Sequence, residues 1–66
     1  MSIAKVIEIT ASSTEGFEDA IRQGVARAAE TLYGMEGARV KEQSVVIAGD
    51  RVAEYKVTMA LSFKLE

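Results

Sequence analysis

The chain has 66 residues, of which 48% are hydrophobic and 27% charged, and its formal net charge is −2. This length allows a single domain, residues 1–66, and the composition is typical of a folded protein and not of a disordered one. The chain contains neither Cys nor His. Disulfides and every catalytic arrangement that depends on a thiol or an imidazole are therefore excluded.

The distribution of charged and apolar residues limits the kinds of partner that the chain can bind. The eight basic residues are scattered and form no basic stripe, which predicts no binding to nucleic acid. No apolar run approaches the roughly 20 residues that cross a bilayer, and the N-terminus lacks the pattern of a signal peptide. We therefore expect a cytoplasmic protein without a membrane partner. Because so small a domain usually needs extra stabilisation, we also expect self-association.

The first predicted element is a strand from Ile3 to Thr10. Side chains alternate between the two faces of a strand. One face then carries three isoleucines and Lys5, and the other carries Ala4, Val6, Glu8 and Thr10. Neither face is fully polar, so contacts are expected on both sides.

A helix is predicted next, ending near Tyr33. Ser12 or Ser13 is the expected N-cap, and Glu15 has the spacing of a capping box with Ser12. Apolar side chains then recur at three- and four-residue steps, at Phe17, Ile21, Val25, Ala28 and Leu32. Gly34 is expected to end the helix in the left-handed conformation.

Two further strands are predicted, from Gly37 to Ile47 and from Val52 to Leu65, joined by a tight turn at residues 48–51. The last strand alternates without a break, with apolar residues at Ala53, Tyr55, Val57, Met59, Leu61, Phe63 and Leu65. A strand of about 14 residues spans roughly 46 Å, whereas a helix of about 20 residues spans about 30 Å. The pattern indicates an α+β protein with β-α-β-β order, whose sheet outreaches its helix.

One helix leaves the second face of the sheet uncovered. The residues expected to be partly bare there are Ala4, Val6, Ala38, Val40, Val46 and Ala60. An exposed apolar area of a few hundred Å² usually marks an interaction surface.

Little in the sequence supports catalysis. A general base would have to be a carboxylate or a lysine, and no pair of acidic residues has a convincing spacing, so we expect no enzymatic activity. Lys5 interrupts the isoleucine face, which snorkelling at the sheet edge explains and contact with an anionic ligand explains as the alternative. Glu42 and Lys56 lie in the middle of strands. A cross-strand ion pair or a subunit contact explains these two residues, and contact with a ligand is the alternative.

Four segments, KVIEITASSTEGFEDAI, ARAAETL, ARVKEQ and EYKVTMALSFKLE, resemble the dodecin family in their order and spacing. The resemblance covers almost the whole chain. It implies a three-stranded antiparallel sheet wrapped around one helix, and a hollow spherical assembly of twelve identical subunits. It also implies storage or buffering of flavins.

The resemblance further implies a flavin site at a subunit interface. In flavin-binding dodecins, isoalloxazine rings stack in pairs against tryptophans, and a glutamine of the last strand hydrogen-bonds the ring edge. Gly37 stands at the tryptophan position, Lys56 stands at the glutamine position, and the chain has no Trp. Lysine donates hydrogen bonds but accepts none. Binding of riboflavin, FMN or FAD is therefore predicted to be weak or altered.

Glu42 matches an acidic position near the family pocket. With Gln43 it offers oxygen ligands to a hard cation such as calcium or magnesium. In a closed assembly, one carboxylate per subunit becomes a ring of two or three. Two hypotheses result: a small-ligand storage shell that uses Gly37, Glu42, Gln43 and Lys56, or a non-flavin structural assembly with metal ions at Glu42.

Overall fold

The computed structural model describes residues 3–65. Its elements are β1 (Ala4–Ser13), α1 (Phe17–Ala29), β2 (Met35–Ala48) and β3 (Arg51–Lys64). The strands form one antiparallel sheet in the order β1-β3-β2, and α1 packs on β1 and β3. The predicted α+β class and β-α-β-β order are confirmed. In the part of the chain described, α1 is too short and too polar to cross a membrane.

The core lies between α1 and the central strand β3. The buried apolar residues are Ala20, Val57, Met59, Leu61 and Phe63. Ile7 and Ile9 of β1 and the apolar stripe of α1 pack against them. The alternation predicted for β3 is confirmed, because α1 covers one face of this strand and leaves the other open.

The junction between β1 and α1 differs from the prediction. Pairing of β1 with β3 continues three residues beyond Thr10, and α1 is capped by Gly16 with no side-chain hydrogen bond. The serine N-caps and the capping box were therefore wrong. The hydroxyl of Ser13 instead accepts the Glu15 N–H at 2.9 Å and donates to Asp19 Oδ2 at 2.6 Å. These two bonds tie the end of β1 to the first turn of α1.

The far end of α1 is also shorter than predicted, since the helix stops at Ala29 and not near Tyr33. Gly34 does adopt the left-handed conformation, with φ 76°, but lies beyond the helix cap. Its carbonyl accepts the Lys64 N–H at 2.8 Å. A Cβ at Gly34 would approach the Lys64 carbonyl oxygen to 2.9 Å. Gly34 therefore satisfies both a backbone angle and a close approach to β3.

The chain offers a matched test of this close approach. Gly49, in the β2–β3 turn, also has a positive φ of 65°, but a Cβ there would meet nothing within 4 Å. Both Gly→Ala changes carry a left-handed penalty of about 1–2 kcal/mol, and only Gly34→Ala adds a backbone clash. We expect Gly34→Ala to lower the free energy of unfolding more than Gly49→Ala in urea titrations. Equal losses of unfolding free energy would show that the β3 backbone at Lys64 moves aside without a measurable cost.

Bulges interrupt the pairing of β2. Val40 lies opposite Met59 and Glu42 opposite Thr58, so Lys41 between them is an extra residue. A bulge resets the alternation of side chains. Val40 therefore shares a face with buried Met59, towards α1, whereas Glu42 lies on the opposite side of the sheet, called here the far face. The prediction that Ala38 and Val40 lie on the bare second face was therefore wrong, since both lie opposite buried residues of β3.

Much apolar surface is left open. Every residue of β2 except Met35 is exposed. Val6 on the far face is 62% exposed, and Val46, on the same face near the turn, is 37% exposed. The subunit measures 51 × 20 × 13 Å, so this surface extends along a thin, elongated molecule. The predicted bare second face is thus present at Val6 and Val46, and exposed apolar side chains on one face are typical of an interaction surface.

Candidate functional site

Gly37 lies near the start of β2, opposite Ser62 of β3, whose hydroxyl donates to the Gly37 carbonyl at 3.4 Å. It borders two shallow depressions. One, of about 270 Å³, lies on the far face and includes Val6 and Ala60. The other, of about 250 Å³, includes Val25 and Met35. The missing side chain of Gly37 leaves open space in the first depression, on the far face, whereas the second depression lies on the α1 side of the strand.

The backbone at Gly37 does not require glycine. Its φ is not positive, and a Cβ placed there would meet only Ser62 Oγ, at 3.5 Å. That distance is an ordinary van der Waals contact. Larger side chains are therefore compatible with this strand, and glycine matters here for the space that it leaves.

Lys56 lies on the far face of β3, between Ser12 of β1 and Ser44 of β2. It is six residues along β3 from Ser62, the partner of Gly37, which corresponds to about 20 Å. One subunit therefore does not bring Gly37 and Lys56 together. A small ligand that touches both positions must therefore take them from different subunits.

Glu42 and Gln43 diverge. Glu42 lies opposite Thr58 on the far face, whereas Gln43 lies opposite buried Val57, on the side of α1. Within residues 3–65, no three acidic side chains form a group that could hold a metal ion. A calcium or magnesium site at Glu42 therefore requires further ligands from neighbouring subunits, and Glu42 remains a predicted ligand.

The far face also carries charged residues that the sequence analysis did not assign to the site. Arg39 lies opposite Ala60 and borders the far-face depression at Gly37. Lys41 bonds Glu8 of β1, with 2.5 Å between Nζ and Oε2. The spacing of Arg39, two residues from Gly37, was the available signal, because it places both on one face of a strand.

The comparisons with known proteins agree with this architecture. The sequence model of the dodecin family matches residues 3–66. The chain belongs to the dodecin family. It is 38% identical to the dodecin of Thermus thermophilus over 64 residues, 97% of this chain and 93% of that protein. A T. thermophilus dodecin mutant with tryptophan changed to phenylalanine has a TM-score of 0.93 at 36% identity, covering 100% of this chain and 98% of its own.

A second relative is named as a calcium dodecin. The calcium dodecin of Mycobacterium tuberculosis is 32% identical over 65 residues, 98% of this chain and 92% of that protein. Its crystal structure, described as calcium-chelating with a novel calcium-binding site, has a TM-score of 0.84 at 31% identity and covers 98% of this chain and 93% of its own. As a dodecin, the chain is a small ligand-binding protein that associates with itself.

Proposed function

We propose that this dodecin forms a cytoplasmic, hollow homododecamer that binds and stores a small ligand without catalysing a reaction, and that its flavin binding is weak or altered. The observation that carries the proposal is the open space at Gly37, at the position of the family's tryptophan. An aromatic pair contributes about 0.5–1.5 kcal/mol beyond its buried area. Without that plane, riboflavin, FMN or FAD loses its stacking surface.

Lys56 supports the altered chemistry. An amide at this position both donates to and accepts from a ring edge, whereas a lysine only donates. The two serines beside Lys56 supply hydroxyls, and its charge favours a ligand that presents acceptor atoms. The proposed shell therefore selects a ligand different from, or more weakly held than, a stacked flavin.

A second function is favoured by Glu42. This carboxylate is exposed on the far face, and one relative is named calcium dodecin. In a symmetric assembly, two or three copies of Glu42 would supply oxygen ligands for calcium or magnesium. The assembly would then be structural, with metal ions in place of an organic ligand.

Native mass spectrometry of the purified protein tests both functions. We expect a species near twelve times the subunit mass of 7.1 kDa, with an organic mass that is released on denaturation. A metal-loaded twelvefold species that dissociates on chelation would support the second function instead. A monomer or dimer that binds neither would contradict both.

A further inference from the structure

The far-face depression at Gly37 has a cationic rim and an apolar wall. Its lining residues are Val6, Gly37, Ala38, Arg39, Ala60 and Ser62. The central strand contributes only the small side chains of Ala60 and Ser62, and Val6 of β1 lies opposite Ser62. The depression is therefore open in the middle, with Val6 on one side and Arg39 on the other.

Of the residues that the structure describes, Arg39 is the one charged residue that lines this depression, and its charge favours an anion, whereas Glu36 borders the depression on the α1 side. Among residues 3–65, the ion pairs are Glu18–Arg22, Arg27–Glu30 and Glu8–Lys41, so Arg39 has no carboxylate partner there. Glu8 lies in the same cross-strand row, opposite Ala60, but is neutralised by Lys41. Lys64 adds a second cation on this face, two residues beyond Ser62. Glu42 is one row further away, opposite Thr58.

We infer that the depression binds a small organic oxyanion, with Arg39 holding the anionic group and Val6 covering the apolar body of the ligand. A guanidinium is planar and presents paired N–H donors that match a carboxylate or phosphate. The placement of the ligand at Gly37 rests on the proposed function, and the inference adds the chemical class of that ligand. Arg39 is the residue that determines specificity.

Two fluorescent probes of similar shape test the inference. Anilinonaphthalene sulfonate (ANS) has an apolar body and an oxyanion, and phenylnaphthylamine is its neutral counterpart. We expect Arg39→Gln to weaken ANS binding about tenfold, the worth of a charge-assisted hydrogen bond, and to leave phenylnaphthylamine unchanged. Arg39→Lys keeps the positive charge but loses the paired N–H donors of the guanidinium, so its ANS affinity should lie between those of the parent and Arg39→Gln. Arg51→Gln, at the β2–β3 turn and outside the depression, is the matched control.

Several results would overturn the inference. One is an unchanged ANS affinity in Arg39→Gln; another is an equal loss of the neutral probe. Light scattering first checks that all three variants assemble like the parent. Competition at constant ionic strength then identifies the oxyanion: displacement of ANS by inorganic phosphate indicates a phosphate-bearing ligand, and displacement by acetate indicates a carboxylate. Displacement by neither contradicts the inference.

The probe experiment stands apart from the test of the proposed function. ANS binding requires neither a flavin nor the natural ligand. Arg39-dependent binding of ANS in a protein that carries no organic ligand in native mass spectra would sink the storage function alone. An organic ligand in the mass spectra, with ANS indifferent to Arg39→Gln, would sink the oxyanion inference alone.

Discussion

Val6→Glu is expected to break the assembly into monomers or small oligomers, as measured by light scattering. Val6 is a large apolar side chain, 62% exposed on the far face of an isolated subunit. A carboxylate moved from water into an apolar interface without a partner costs several kcal/mol. In a symmetric assembly every copy of the interface carries the change, so the losses add up over the whole assembly.

Two further variants test why Val6→Glu breaks the assembly. Val6→Leu keeps the side chain apolar and should leave the assembly intact, which separates the effect of charge from that of shape. Val46→Glu tests the other end of the same face, because Val46 lies opposite Glu54 near the β2–β3 turn and is 37% exposed. If Val6→Glu keeps the size of the parent, the far face of the sheet is not a subunit interface.

Gly37→Trp is expected to raise the affinity for riboflavin about tenfold. An indole restores a stacking plane and buries additional apolar area, together worth about 1.4 kcal/mol. The strand accommodates the change, because a Cβ at Gly37 meets only Ser62 Oγ at 3.5 Å. Quenching of flavin fluorescence in a titration measures the affinity.

Gly37→Leu is the matched control for this substitution. It fills the same space with apolar atoms but offers no aromatic plane, so its affinity for riboflavin should stay near that of the parent. Equal gains for leucine and tryptophan would show that filled volume, and not stacking, limits binding. A tryptophan variant that assembles normally yet binds riboflavin no better would show that Gly37 is not in the ligand slot.

Those parts of the fold that follow from local sequence patterns alone were predictable. The presence of the helix, its apolar stripe and the alternation of β3 follow from apolar periodicity, and the turn at Gly49 follows from turn chemistry, whereas the end of the helix at Ala29 does not. The start of α1 was not predictable in this way. A serine hydroxyl serves equally well as an N-cap or as a partner for nearby backbone, and Ser13 takes the second role because strand pairing extends to it.

The candidate site was only partly predictable. The strand pattern placed Gly37 at the start of the second strand, but the bulge at Lys41 has no signature in an alternating run. It separates Val40, which lies towards α1, from Val46, which lies on the far face as predicted. Lys56 lies six residues from Ser62, the partner of Gly37. This separation depends on the register between strands, which the sequence of one strand does not determine. The predicted meeting of Glu42 with its copies depends on neighbouring subunits, whose arrangement one chain does not contain.

The exposure of β2 has a consequence for how the subunit responds to dilution. Of its fourteen residues only Met35 is partly buried, so little besides pairing with β3 holds this strand in place. Whatever covers β2 binds the folded state and not the unfolded one, and mass action then links the melting temperature to protein concentration. On dilution, hydrogen exchange should speed up first at the amides of β2, while those of β3 opposite β1 remain protected under α1.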